Sequence, residues 1–477
     1  MSLTATCSLF HICLAATLAP AIATPEPPAK FEPNYIAVQD VELSTPNGNA
    51  AGYLKKGTLV SARLALEGVL NVQTTEGQSG LASASAFSRL GRSISVTPAS
   101  KSAAKSSNQF AVDLYHQVRS QEGNLFLSPA SVATALAMTH AGAAGVTKTE
   151  IAKVLHLEPG QHTDAGFAVL MELLNSTGDR NGYQLNTANR LWGDSDAQFE
   201  TPFLQLVREQ YHAPLESLDF GKSQQARETI NRWVLDQTRG RIADLIPQGM
   251  LNAQDRLVLT NAIFFQGGWQ HEFEQSATKP APFHVSPDVT VETPMMSQQE
   301  SFSYTEDEMA QVVSLPYRGH EVSMVVMLPK QRDGLAMLEA TFTEKRLSEW
   351  LRSLNTDRLV RLHLPRIKLE SQLMLTEMLK AMGMKTAFDE SANFTAMSKS
   401  ESLMISQVIH QANVDVDEKG TEAVAATAII MALPTAPFDP EPKQPVVFRA
   451  DHPFLFLIRE NRSGAILFLG RVTKPTS

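Results

Sequence analysis

Cysteine is nearly absent from this chain of 477 residues, which contains only Cys7 and Cys13. Cys7 precedes the apolar stretch of residues 9–23, and Cys13 lies within it. The stretch ends in AIA, a small-x-small sequence of the kind that signal peptidases cleave. We therefore predict a signal peptide over residues 1–23 and a secreted or extracytoplasmic protein. The alternative is an uncleaved anchor, because no Lys or Arg precedes the apolar run. Cleavage would leave no cysteine, which excludes a disulfide framework and a cysteine nucleophile.

Further long apolar runs and an excess of positive charge are also missing. After residue 23, no segment has the roughly 18 uninterrupted apolar residues of a transmembrane helix, so we expect no membrane span. The 41 Lys and Arg residues are outnumbered by 50 Asp and Glu residues, which gives a net charge of −9. A sequence-independent nucleic-acid binder needs a basic surface, so we expect no nucleic-acid partner.

Three near-matches to catalytic motifs each lack an essential residue. GQSG at residues 77–80 is one residue short of the GxSxG nucleophile turn. GKS at residues 221–223 lacks the upstream glycine of a phosphate-binding loop, since Glu216 stands there. His271 is not followed by the second histidine of a zinc-binding helix, because Gln275 occupies that position. We predict no catalytic residues, no metal and no cofactor, and a protein that is not an enzyme.

Residues 34–92 are predicted to form a small all-β module. Short stretches of alternating apolar and polar residues are separated by turn sequences such as PNG at residues 46–48. The glycine spacing in residues 52–60 and 77–80 resembles bacterial Src-homology-3-like barrels, with Leu81 where those barrels usually carry Trp. Residues 93–107 are rich in Ser, Ala, Thr and Lys, and this composition predicts a flexible linker.

From Asn108 onward the sequence predicts one large α+β domain. Asn108 is placed to cap a helix in which Phe110, Leu114 and Val118 repeat every four residues. Strand and helix patterns then follow without regular β-α-β alternation, which favours a mainly antiparallel sheet. The predicted strands cover residues 257–265, 312–315, 322–328, 359–364 and 446–448, and the predicted helices cover residues 342–354 and 370–384.

Residues 417–432 have an unusual composition for a globular domain. The sequence DEKGTEAVAATAIIMA runs from a charged turn into small residues. Residues 434–442 follow, in which Pro recurs and no strand can continue. Taken alone, this pattern is also compatible with an Ala-rich helix followed by a surface loop.

Several motifs in one order resemble the serpin family of protease inhibitors over residues 108–475. They are NLFLSPAS at 124–131, TNAIFFQGGW at 260–269, LPRI at 364–367, DHPFLF at 451–456 and FLGRV at 468–472. Residues 417–432 resemble the reactive-centre hinge and loop of that family. The resemblance implies a serpin domain over residues 108–477, with mainly antiparallel sheets, surrounding helices and an exposed loop, and it implies a monomer.

By this resemblance the chain is a suicide substrate, in which the cleaved loop inserts into the main sheet as a new strand. Insertion requires small residues inward at every second position; if Thr421 faces inward, so do Ala423, Ala425 and Thr427. The hinge residues that the resemblance implies are Glu418, Gly420, Thr421, Glu422, Ala423, Val424, Ala425, Ala426 and Thr427. The reactive-bond candidates are Met431, Ala432, Leu433, Pro434 and Thr435. The resemblance implies that the sheet opens at the family's shutter, formed by Ser128, Ser131, Asn261 and His410, and that Trp269 lies at the family's breach, near the hinge.

The composition of the loop predicts its partner. No Lys or Arg occurs from residue 420 through residue 442. We therefore expect a serine endopeptidase, or a cysteine endopeptidase, of elastase-, chymotrypsin- or subtilisin-like specificity. Residues 161–180, where some relatives carry a basic polysaccharide-binding helix, contain a single Lys or Arg, Arg180, so we expect no heparin-type cofactor. The alternatives are a non-inhibitory serpin whose loop is only a substrate, and an adhesion protein that acts through its N-terminal module.

Overall fold

The computed structural model describes residues 35–37, 41–45, 50–54, 59–66, 69–74, 79–83, 87–89, 95–158, 163–174, 183–354, 357–421 and 444–475. The predicted signal peptide, the hinge residues 422–427 and the reactive-bond candidates 431–435 lie outside these residues. The chain divides into two compact units, Met1–Leu90 and Gly91–Ser477.

Seven strands of the first unit form one antiparallel sheet. They are β1 (Tyr35–Ala37), β2 (Val41–Ser44), β3 (Ala50–Leu54), β4 (Leu59–Leu66), β5 (Val69–Thr74), β6 (Ser79–Ser83) and β7 (Phe87–Arg89). The strand order is β3-β2-β6-β5-β4-β1-β7, and Leu43, Leu54, Val60 and Val72 are buried. The assignment of this unit as a Src-homology-3-like barrel stays a prediction.

The second unit combines helices with two sheets. Its helices are α1 (Pro98–Val118), α2 (Pro129–Gly142), α3 (Gly145–Val154), α4 (Thr163–Leu174), α5 (Thr201–Glu209), α6 (Ser223–Gln237), α7 (Leu335–Ala340), α8 (Glu344–Ser353) and α9 (Thr376–Met382), with short 3₁₀ turns at Phe220–Lys222, Gln275–Ala277 and Thr386–Phe388. Its strands are β8 (Leu125–Leu127), β9 (Tyr183–Asp194), β10 (Glu216–Leu218), β11 (Leu257–Gly268), β12 (Lys279–His284), β13 (Thr290–Glu306), β14 (Ala310–Pro316), β15 (Val322–Pro329), β16 (Asp357–Pro365), β17 (Ile367–Met374), β18 (Ile405–Val416), β19 (Gly420–Thr421), β20 (Val446–Arg449), β21 (Phe454–Glu460) and β22 (Ile466–Val472).

Helix α1 begins at Pro98 rather than at Asn108, so the prediction of a flexible linker over residues 93–107 is wrong from Pro98 onward. Thr97 caps the helix through a reciprocal pair of hydrogen bonds with Ser100. The small residues that suggested a linker instead allow close packing: a Cβ on Gly166 of α4 would lie 2.6 Å from the carbonyl oxygen of Ala99. Asn108 lies inside the helix and ties it to the chain before β22, because its amide donates to the carbonyl oxygen of Gly464.

The helix predicted over residues 370–384 is also partly wrong. Residues 370–374 belong to strand β17, and α9 covers only Thr376–Met382. Along β17, Ile367, Leu369 and Leu373 are buried while Lys368 and Glu370 are exposed, which is the period of two expected for a strand. The long polar side chains between them have good helix propensity, and pairing with β18 overrides that preference.

The main sheet has the strand order β10-β9-β11-β19-β18-β17. Its centre is β11, which is antiparallel to β9 on one side and parallel to β18 on the other. Residues 258–264 of β11 pair directly with residues 407–413 of β18. Further along, Gly267 and Gly268 of β11 pair instead with the two residues of β19. The two central strands are therefore joined over most of their length and separated at one end.

The second sheet has the order β20-β16-β13-β14-β15-β21-β22-β8, with β12 paired to β13. The predicted strands at 257–265, 312–315, 322–328, 359–364 and 446–448 are confirmed as β11, β14, β15, β16 and β20, and the predicted helix at 342–354 as α8. The core lies between the two sheets, where Phe265 of the main sheet packs against Phe468, and Phe468 stacks on Phe126. The α+β fold class with mainly antiparallel sheets is confirmed.

Candidate functional site

The chain turns sharply between the end of β18 and the start of β19. The backbone N–H of Asp417 donates to the carbonyl oxygen of Gly420 at 2.8 Å. The Asp417 carboxylate in turn accepts from the backbone N–H groups of Lys419 and Gly420, at 2.8 and 3.2 Å. This turn directs Thr421 into the main sheet, where it pairs with Gly267 of β11 and Val416 of β18.

Thr421 faces inward, as the resemblance to serpins requires for an insertable hinge. Its side chain is fully buried, and its hydroxyl lies 2.7 Å from the hydroxyl of Tyr317. Burial holds the pKa of Tyr317 well above its usual value, so the phenol stays neutral and can donate. Tyr317 stacks on Trp269 with 4.5 Å between ring centroids and meets Phe265 edge-on at 4.9 Å. The hinge thus begins on a layer of three aromatic rings.

Trp269, predicted to lie near the hinge, contacts it directly. Its indole N–H donates to the carbonyl oxygen of Asp417 at 2.9 Å, and its backbone N–H donates to that of Lys419 at 2.8 Å. The backbone N–H of Phe273 donates to the carbonyl oxygen of Glu418, also at 2.8 Å. Three consecutive carbonyl groups of the turn are therefore fixed by the segment that follows β11.

Glu418 anchors the turn through its side chain, which is only 3% exposed. Arg366 donates to the carboxylate from Nη2 at 2.7 Å and from Nε at 3.0 Å, and the Thr278 hydroxyl donates at 2.6 Å. Burial alone would raise the pKa of Glu418, but the hydrogen bonds from Arg366 and Thr278 outweigh it and lower the pKa below its usual value. Glu418 is therefore ionised at neutral pH and holds the hinge to Arg366, the residue that precedes β17.

Gly420 occupies a position that tolerates no side chain. Its φ is 154°, and a Cβ atom there would lie 2.0 Å from the carbonyl oxygen of Gly267 and 2.7 Å from the Cα atom of Gly268. Both atoms belong to the backbone of β11, which β9 pairs on its other edge. A residue larger than glycine must therefore move the hinge rather than the strand.

We expect Gly420→Ala to displace the hinge from the sheet and to lower the free energy of unfolding by about 2 to 4 kcal/mol, since backbone must move to admit the methyl group. Displacement would break the bond from the Trp269 indole to the Asp417 carbonyl oxygen, which tryptophan fluorescence would report as a red shift. Gly464→Ala is the matched control: its φ is 77°, but a Cβ there meets nothing within 4 Å. Its cost should be about 1 kcal/mol, without a fluorescence change. Equal effects of the two substitutions would contradict the steric explanation.

The four predicted shutter residues come together beneath the paired part of β11 and β18. The His410 ring lies 2.5 Å from Asn261 Oδ1 through Nδ1, and Nε2 lies 2.9 Å from the backbone nitrogen of Ser128. Asn261 donates to the Ser131 hydroxyl at 2.6 Å. The Ser128 hydroxyl donates to the carbonyl oxygen of Leu467 in β22 at 2.6 Å. The network joins two strands of the main sheet, the start of α2 and the second sheet.

The hydrogen bonds of His410 define its protonation state. A backbone N–H can only donate, so Nε2 must accept from Ser128 and carries no proton, while Nδ1–H donates to Asn261. The side chain is fully buried, and burial lowers the pKa of His410 from 6.5 to about 3. The ring is therefore neutral at physiological pH.

Four further residues belong to this site that the sequence did not indicate. Asn189 of β9 accepts from Ser131 at 2.9 Å and from Asn261 at 2.5 Å. The other three, Tyr317, Arg366 and Thr278, hold the hinge. Asn189 gives no signal of its own, because β9 also contains the polar residues Gln184, Asn186 and Arg190, whereas Arg366 lies within the LPRI motif.

Within the described ranges, no helix is long and apolar enough to cross a membrane, and no group of three or more His, Cys, Asp or Glu residues is arranged to hold a metal ion.

The comparisons with known proteins agree on one family. A family model described as Serpin (serine protease inhibitor) matches residues 105–475. The leukocyte elastase inhibitor of Bos taurus is 41% identical over 377 residues, which cover 77% of this chain and 98% of the relative. Uncleaved ovalbumin has a similar structure, with a TM-score of 0.69 and 31% identity over 78% of this chain and 99% of its own. Human thyroxine-binding globulin has a TM-score of 0.71 and 28% identity over 80% of this chain and 100% of its own.

Proposed function

The chain belongs to the serpin family of serine protease inhibitors, and from that premise we propose that it inactivates an endopeptidase as a suicide substrate, by insertion of its cleaved loop into the main sheet. The observation that carries the proposal is the position of Thr421. This first loop residue already pairs with both β11 and β18, at the one end where those strands are apart. Insertion of the loop would extend the ladder of strand pairing that Thr421 begins between β11 and β18.

The register of that ladder predicts where each loop residue would go. Thr421 pairs with Gly267, so the antiparallel continuation pairs Ala423 with Phe265, Ala425 with Ile263 and Thr427 with Asn261. Odd-numbered residues of β11 face the core, where Phe265 contacts Phe468. The inward loop residues would thus be two alanines and a threonine, which need little space.

The proposed insertion explains why a polar network lies between β11 and β18. An incoming strand must break the pairing of Asn261 with His410. The register places Thr427 opposite Asn261, so its hydroxyl could replace the hydrogen bond that His410 gives up. A polar network can exchange partners in this way without leaving a buried group unsatisfied.

The length of β11 limits the position of the cleaved bond. The same register brings Met431 opposite Leu257, the first residue of β11. A loop that fills the gap completely must therefore be cut at or beyond Met431. This supports cleavage among Met431, Ala432, Leu433, Pro434 and Thr435, and hence a target of elastase-, chymotrypsin- or subtilisin-like specificity.

The test is to mix the purified protein with elastase, chymotrypsin, subtilisin and trypsin and to separate the products on denaturing gels. We expect a detergent-stable adduct with at least one of the first three and slow or no inhibition of trypsin. The mass of the released C-terminal peptide should place the cut within residues 431–435. Complete cleavage without an adduct, with all three proteases, would instead favour a serpin whose loop is only a substrate.

A non-inhibitory role is the second candidate function. It is favoured by the likeness to thyroxine-binding globulin, which carries the same fold and is named for the hormone it binds. The small hinge residues and the buried position of Thr421 favour inhibition over this alternative. Secretion is a separate proposal that rests on the composition of residues 1–23.

A further inference from the structure

Two arginines and a histidine share the outward face of strands β16 and β20. Along β16, Val360 and Leu362 are fully buried, whereas Arg361 and His363 point away from the core. The parallel pairing of β16 with β20 sets Arg449 beside His363, and Nη2 of Arg449 lies 3.5 Å from Nε2 of His363. The two cations Arg361 and Arg449, together with the neutral ring of His363 beside them, are called the cationic patch below.

No carboxylate forms an ion pair with these side chains within the part of the chain that the structure describes. The residues of β13 opposite Arg361 and His363 are Gln299 and Ser297. The guanidinium of Arg361 donates to the amide oxygen of Gln299 at 3.2 and 3.3 Å, which leaves its charge unpaired. The nearby carboxylate of Asp451 is bound to His452, at 2.9 Å. Burial and then the charges of Arg449 and Arg361 lower the pKa of His363, and these effects outweigh the opposing charge of Asp451.

The patch is bordered by exposed apolar side chains. Val447, the β20 residue paired with Arg361, is 50% exposed, and Leu359 is 38% exposed. A mixture of unpaired cations and apolar side chains suits the surface of a folded protein better than a sulfated polysaccharide, which requires a denser run of positive charge.

The position of the patch relates it to the reactive loop. Residues 422–443 join Thr421 to the segment that enters β20 at Val446, so the loop returns to the domain at this strand. An endopeptidase bound to the loop is tethered close to β20. On this basis, which rests on the function proposed above, we propose that the cationic patch is a docking surface for the target endopeptidase and binds an acidic region beside its active-site cleft.

The test compares subtilisin with subtilisin whose lysines have been succinylated, which makes its surface more acidic. With a net charge of −9, the inhibitor as a whole should repel the acidic form. We expect the opposite: association with succinylated subtilisin about 10-fold faster than with the native enzyme at low salt, and no gain at 500 mM NaCl. Succinylated enzyme is first checked for unchanged activity on a small peptide substrate.

The double variant Arg361→Glu/Arg449→Glu should lose this gain, with the yield of adduct per cleaved loop unchanged. The control is Arg208→Glu/Arg232→Glu, which makes the same charge change at exposed arginines of α5 and α6 and should keep the gain. Equal rates for both double variants would overturn the proposal but leave the proposed inhibition intact, since the adduct still forms. Absence of an adduct between the unaltered protein and elastase, chymotrypsin and subtilisin alike would refute the inhibitory function and this proposal together. Loss of retention on immobilised heparin, without any change in association rate, would assign the patch to a polysaccharide instead and overturn the proposal.

Discussion

Thr421→Arg is expected to convert the inhibitor into a substrate. The threonine is fully buried, and its hydroxyl bonds to Tyr317 on a layer of aromatic rings that offers no counter-charge. An arginine at this position would have to bury a cation for the loop to enter the sheet. Because burial of an unpaired charge costs at least several kcal/mol, insertion should slow by 100-fold or more.

The trapped endopeptidase would then complete hydrolysis before the loop moves. We expect the cleaved protein to appear on denaturing gels with no adduct, and the number of inhibitor molecules consumed per endopeptidase inactivated to rise by at least 100-fold. The control is Glu422→Arg at the next residue, which the period of two places outward, and this variant should retain the adduct. A stable adduct with Thr421→Arg at near one-to-one stoichiometry would contradict insertion of the loop at this point.

The hinge illustrates what sequence could and could not predict. Its small residues and charged turn are contiguous, so composition singled out residues 417–432 as unusual, and the resemblance to serpins identified them as a hinge. The groups that hold the hinge come from distant segments: Arg366 is 52 residues away from Glu418, and Tyr317 is 104 residues away from Thr421. A single sequence contains no signal for such pairings, because any arginine or tyrosine could supply them.

Secondary-structure predictions from local sequence failed for segments whose composition is compatible with two different structures. The Ser- and Ala-rich start of α1 has the composition of a linker, yet Thr97 and Ser100 form a cap and the small side chains allow contact with α4. In β17, pairing with β18 determines the structure of a segment whose polar residues favour a helix. By contrast, the apolar runs of β11 and β15 are long and buried, and these strands were predicted within a few residues of their ends.

Acid is expected to destabilise the closed sheet through His410. Its pKa is about 3 in the folded protein and about 6.5 when unfolded, so between these values the unfolded chain binds a proton that the folded chain does not. The stability that neutral His410 contributes to the folded protein is therefore fully present above pH 6.5 and is lost as the pH falls. From pH 7 to pH 5 the loss should be about 2 kcal/mol for this residue.

His140, whose pKa burial lowers to about 4, should add a similar loss over the same interval. Carboxylates with lowered pKa values, such as Asp307 at about 2, remain ionised there and contribute little. These two histidines should thus lower the free energy of unfolding of the unaltered protein by about 4 kcal/mol between pH 7 and pH 5, measured by urea unfolding, and His363, whose pKa is also lowered, adds to that fall. His410→Asn should show a fall that is about 2 kcal/mol smaller, from a lower starting stability, because Ser128 loses its acceptor.

His140→Asn distinguishes the two histidines, because it should also reduce the fall by about 2 kcal/mol while leaving the bonds between β11 and β18 unchanged. If His410→Asn kept the full fall of about 4 kcal/mol, the neutral state assigned to His410 would be wrong.

The hydrogen bonds of His410 show what its protonation would do to the main sheet. A protonated His410 cannot accept from Ser128, so acid weakens the network that joins β11, β18 and α2.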